Sequence, residues 1–90
     1  MIKHVSIRIS GKVQGVFFRA STKTKADELL VRGIVRNEPD GSVYVEAEGE
    51  EEPLKKFIQW CYQGPPAASV RQCEITPGEG KGYTDFSIRR

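Results

Sequence analysis

Residues 34–48 limit what this chain can fold into more than any other stretch. Ile34-Val35-Arg36-Asn37-Glu38, Pro39-Asp40-Gly41 and Ser42-Val43-Tyr44-Val45-Glu46-Ala47-Glu48 read as a β-hairpin whose register can be argued. Val43, Val45 and Ala47 alternate with polar residues and make one apolar face of the second arm. Val35 is the natural buried residue of the first arm. Directly opposed residues share a face, so Val35 should pair with Val45 and Asn37 with Val43. The loop is then Pro39 to Gly41, a type I turn with a left-handed third residue, which suits proline first and glycine last. Asn37 therefore faces the core side near the end of its strand. A buried, unpaired amide costs about 1–3 kcal/mol, so its partners matter. Two roles fit it: a structural amide bonding the turn backbone, or a functional one.

The flanking sequence supplies the remaining elements. Val5, Ile7 and Ile9 alternate with Ser6, Arg8 and Ser10, a strand with one buried face. His4 falls on its polar side and reads as a surface residue. A helix is expected from about Arg19 to Val31, with Thr22, Ala26, Leu29 and Leu30 on one stripe and Gly33 as its left-handed stop. The acidic run Glu50-Glu51-Glu52 before Pro53 is a helix-start signal rather than a metal site. Leu54, Phe57, Ile58 and Cys61 follow at helical spacing up to Gly64, with Trp60 and Tyr62 beside the stripe as core padding or as a partner patch. A strand over Val70 to Ile75, a loose glycine-rich connection through Pro77, Gly78, Gly80 and Gly82, and a last strand with Thr84, Phe86 and Ile88 complete the order. Strand, helix, strand, strand, helix, strand is the ferredoxin-like βαββαβ sandwich. It is an α+β fold with two helices on one face of a mostly antiparallel sheet, here with a short extra C-terminal strand. One domain spanning residues 1–90 is expected.

Between the first strand and first helix lies Ser10-Gly11-Lys12-Val13-Gln14-Gly15-Val16-Phe17-Phe18-Arg19. Its glycines permit backbone angles that other residues avoid. It contains no proline, so every backbone N–H remains a donor. Successive N–H groups at a helix start form a cup for a phosphate or carboxylate, and the Arg19 guanidinium adds paired donors. The spacing matches neither the nucleoside-triphosphate loop nor the dinucleotide glycine motif. By spacing alone, an anion cradle and a plain strand-to-helix turn with a surface arginine fit equally. Lys12 fits either added positive potential or a solvated tether.

Composition excludes little. The formal net charge of +2 does not by itself argue for nucleic acid or a membrane surface. Cys61 and Cys73 lack metal-ligand or redox spacing. Both a disulfide and free thiols fit them, and reduced thiols in a cytoplasmic chain are the expectation. The N-terminus shows no signal-peptide core, and no run has the length of a membrane span.

With these residues in view, the chain resembles the acylphosphatase family over nearly its whole length. Gly11 to Arg19 is similar to that family's phosphate-binding signature. Gly33-Ile34-Val35-Arg36-Asn37 with Asp40-Gly41-Ser42-Val43 is similar to its second signature. Gly64-Pro65-Pro66-Ala67 and the closing Tyr83, Phe86 and Ile88 also match. Ile34, where many members carry a large aromatic, and Glu38-Pro39 are local departures. The resemblance implies hydrolysis of acyl phosphates to a carboxylate and inorganic phosphate. It implies Arg19 as the catalytic arginine, Asn37 as the residue positioning water, and the backbone of Gln14, Gly15, Val16, Phe17, Phe18 and Arg19 as the phosphate cradle. It further implies no metal or cofactor and a small-molecule substrate; a monomer with no nucleic-acid or membrane partner is the accompanying expectation. The competing expectation is a non-catalytic ferredoxin-like module binding an anion or RNA. Tyr44, Glu46 and Glu48 on the outward sheet face count against RNA, because carboxylates repel a phosphate backbone. The joint presence of Arg19 and Asn37 counts against a regulatory module.

Overall fold

Two strands with one apolar face each, Val5/Ile7/Ile9 and Val43/Val45/Ala47, pair at the centre of the sheet. The computed structural model describes residues 1–89; Arg90, the last residue of the domain expected from sequence, lies outside the described residues. Its elements are β1 (Ile2–Lys12), α1 (Phe18–Leu29), β2 (Arg32–Asn37), β3 (Val43–Glu50), α2 (Glu51–Gln63), β4 (Ser69–Gly78) and β5 (Phe86–Arg89). The sheet order is β4-β1-β3-β2-β5. All neighbours are antiparallel except β2 and β5, which run parallel. This is the ferredoxin-like arrangement with an added C-terminal strand.

Both helices cover the face that carries Ile7, Ile9, Val35, Val43, Val45 and Ala47. Phe57 from α2 meets Phe86 from β5 edge-on at 5.8 Å, and Phe18 from α1 meets Trp60 at 5.7 Å. Trp60 thus pads the core edge, whereas Tyr62 is exposed. Cys61 is a buried free thiol, and Cys73 Sγ lies 3.6 Å from the Cys61 carbonyl oxygen.

The hairpin has the expected register. Val35 pairs with Val45 and Asn37 with Val43. Glu38 N–H donates to Ser42 O at 2.8 Å and Gly41 N–H to Glu38 O at 3.1 Å, with Gly41 at φ 94°. These bonds close the expected loop over Pro39 to Gly41.

Three expectations need correction. First, α1 starts at Phe18 and ends at Leu29, with Leu30 at φ 58° and 82% exposed instead of on the buried stripe. Leu30 N–H bonds Asp27 O at 3.3 Å and Val31 N–H bonds Ala26 O at 2.8 Å, and Val31 is the residue that is buried. Gly33 is not the stop but a β2 residue at φ 148°, where a Cβ would lie 1.8 Å from the Glu46 carbonyl oxygen. Close approach of two strands, rather than helix termination, requires glycine there.

Second, His4 is not a surface residue; it is 5% exposed. Its Nδ1 lies 2.8 Å from Glu48 Oε2.

Third, the connection after β4 is not loose. It folds across the sheet face opposite the helices, and Glu46 and Glu48 are buried beneath it. Glu48 accepts the backbone N–H groups of Lys81, Gly82 and Tyr83. Glu46 accepts Lys81 Nζ at 2.8 Å, the Tyr83 hydroxyl at 2.9 Å and the Tyr44 hydroxyl at 2.8 Å. The strap's backbone N–H groups need acceptors, which Glu48 supplies, while Glu46 takes its side-chain donors. The exposed carboxylate surface weighed against RNA is therefore covered.

Candidate active site

The loop after β1 turns sharply into α1. Gly15 stands at φ 73° and Phe17, the N-cap of α1, at φ 61° and ψ 25°. These left-handed residues bracket Val16, whose side chain packs into the core. Among the described residues, the backbone N–H groups of Gln14 through Arg19 donate to no protein acceptor; the first N–H of α1 to do so is that of Ser21, to Phe17 O at 3.0 Å. A helix start always leaves such donors free, and they carry its partial positive charge. Arg19 has no carboxylate within ion-pair distance among the described residues.

Asn37 approaches from the end of β2. One open pocket is lined by Gly15, Phe17, Phe18 and Arg19 from the loop and helix start, by Asn37, and by Ile88 from β5. Asn37 Oδ1 is buried and lacks a hydrogen-bond partner among the described residues. An orphaned buried acceptor is a rarity that a bound water or substrate resolves. The carbonyls a structural asparagine would seek are taken by Gln14 instead. Gln14 Nε2 donates to Glu38 O and Ser42 O, both at 2.8 Å.

Of the candidate residues, the structure brings Gly15, Phe17, Phe18, Arg19 and Asn37 to one pocket. Gln14 and Val16 do not line it. The turn that receives Gln14 is itself braced. Asp40 accepts the Ser42 N–H and hydroxyl, and Arg8 reaches both Asp40 at 3.2 Å and Ser42 Oγ at 3.1 Å. Ser42's two hydrogen bonds, with the Arg8 charge as a weaker contributor, hold the Asp40 carboxyl below its ordinary value. Sequence reasoning missed the side-chain role of Gln14 and the presence of Ile88. The first had no signal. The second was available from the alternation of Phe86 and Ile88, which the parallel pairing of Val35 with Ile88 places on the Asn37 face.

The acylphosphatase family model matches residues 5–88. The chain belongs to the acylphosphatase family. An acylphosphatase of Shewanella amazonensis is 47% identical over 88 residues, covering 97% of each protein. Among solved structures, the acylphosphatase of Bacillus subtilis superposes with a TM-score of 0.95 at 34% identity over the full length of both chains. That of Coxiella burnetii gives 0.94 at 38% identity, covering 98% of this chain and 93% of the other. Both carry the same sheet and helix arrangement, so the acylphosphatase likeness extends from sequence to fold. As a member of this family the chain is an acyl phosphate hydrolase. No helix among the described residues is long and apolar enough to cross a membrane.

Proposed function

We propose that the chain cleaves the carboxyl–phosphate bond of acyl phosphates by direct attack of a water on phosphorus. The Arg19 guanidinium and the free N–H groups of the loop residues that line the pocket, Gly15, Phe17, Phe18 and Arg19, hold the phosphoryl oxygens and oppose the charge that spreads over them in the transition state. Asn37 accepts a hydrogen bond from the attacking water through Oδ1 and so fixes its approach. A carboxylate leaves without needing a proton. The reaction therefore asks for no general acid, which accounts for a site built without a histidine, thiol or paired carboxylate. Metal or cofactor has no step to perform in this scheme. An amide is too weak a base to take the water's proton outright, and the phosphoryl oxygens are the nearest acceptors. The reading places the chain in the cytoplasm as a one-domain monomer without a nucleic-acid or membrane partner.

The observation that carries this reading is the orphaned Asn37 Oδ1 in the pocket that Arg19 lines. The purified chain, without added metal, should release inorganic phosphate from benzoyl phosphate. A chain that binds phosphate yet releases none would be a binding module and would refute it.

A further inference from the structure

Phe17 and Phe18 are adjacent in sequence and point to opposite fates. Phe18 is buried against Trp60. Phe17 is 82% exposed at the pocket mouth, on a left-handed backbone that costs a non-glycine residue about 1–2 kcal/mol. Ile88, 41% exposed, lines the same pocket from β5. Exposed aromatic surface and backbone strain at one residue are both unfavourable for folding, and strain of this kind clusters where ligands are clamped. Neither residue serves the phosphoryl group through its side chain, because a phosphate has no apolar surface to offer.

An acyl phosphate has two ends of opposite character. With its anionic end on the donors of the α1 start and Arg19, its acyl end must lie against what remains of the pocket wall. Apart from Asn37, the side chains of that remainder are apolar, among them the Phe17 ring, Ile88 and Val13. We infer that Phe17 and Ile88 form an acyl-binding wall that makes the enzyme favour acyl phosphates with an aryl or branched alkyl group over those with a small or charged one. This inference rests on the hydrolase reading above and adds the substrate class to it. Covering a ring face and a branched side chain with apolar acyl surface supports a preference of roughly tenfold in kcat/KM. The opposite charge pattern, a cationic wall selecting an acidic acyl group, is absent from the residues that line the pocket apart from Arg19 itself.

The test is the ratio of kcat/KM for benzoyl phosphate to that for acetyl phosphate, which divides out any general loss of activity. Phe17→Gly suits the left-handed backbone and removes only the ring. It should lower the ratio about fivefold, Ile88→Ala about threefold, and Phe17→Tyr should leave it within twofold of the parent. A ratio unmoved by both Phe17→Gly and Ile88→Ala overturns the inference while leaving the hydrolase reading standing. A parent chain that hydrolyses neither compound defeats the hydrolase reading itself, and the inference with it.

Discussion

Gln14 Nε2 sits 2.8 Å from the Ser42 carbonyl oxygen, bonding the loop that carries Arg19 to the hairpin that carries Asn37. Its second bond, to Glu38 O, spans the same joint. The two halves of the proposed site come from separate parts of the chain, and this amide is a direct tie between them. Gln14→Ala should therefore lower kcat about tenfold, since small misplacement of a reacting group is costly. Phosphate affinity should stay within about threefold, because Arg19 and the N–H donors belong to the loop alone. Gln14→Glu, which cannot donate, should behave like the alanine variant. Steady-state kinetics with phosphate as competitive inhibitor reads both quantities, and an unchanged kcat would remove the tie from the account.

Arg19→Ala should abolish measurable turnover, a loss of about a thousandfold or more, and weaken phosphate binding at least tenfold. The fold should survive, because the guanidinium makes no ion pair among the described residues. Circular dichroism and phosphate titration check the two parts. A loss of only a few-fold in rate would exclude Arg19 from the chemistry.

Asn37→Ala should separate catalysis from binding. Turnover should fall about a hundredfold or more while phosphate affinity changes little, because Asn37 is assigned to the water. Stability should hold or improve slightly, since the variant deletes an unpaired buried acceptor. Calorimetric titration of phosphate into this variant decides the matter; a large affinity loss would make Asn37 an anion ligand or a support of the loop.

Glu46 governs acid stability. Burial alone would raise its carboxyl, but the Lys81 ammonium and the Tyr44 and Tyr83 hydroxyls outweigh that and hold it at about 2. Glu48, facing His4 and the strap's N–H groups, is likewise depressed against the burial that would raise it. A carboxyl whose folded pKa lies below its ordinary 4.5 contributes its stability above pH 4.5 and loses it as pH falls toward 2. Thermal unfolding should therefore show Tm falling between about pH 4.5 and 2. Glu46→Gln should flatten that fall and reduce stability at pH 7 by roughly 1–2 kcal/mol, after allowing for the solvent around Lys81. An identical pH profile in parent and variant would contradict this.

Much of this architecture was legible in the residues. The hairpin was over-determined, because its apolar alternation and its Pro-Asp-Gly turn independently demand the same register, and that register turned Asn37 toward the pocket. Gly33 misled because its offset from Leu30 fits a helix stop, and only the packed sheet shows the Glu46 carbonyl pressing on it. His4, Glu46 and Glu48 misled for a different reason. Alternation separates two faces of a strand but does not say that both are covered, and the cover here is a largely polar strap with no apolar alternation of its own to signal burial. The Gln14 bonds depend on the distance between two turns remote in sequence, which no local pattern encodes.

The account's central claim is that water attacks phosphorus, and the position of an isotopic label tests it most directly. Turnover of benzoyl phosphate in water enriched in oxygen-18 should place one labelled oxygen in the released phosphate and none in the benzoate. Label in the benzoate would mean attack at the carbonyl carbon, and the roles given to Arg19 and Asn37 would fall.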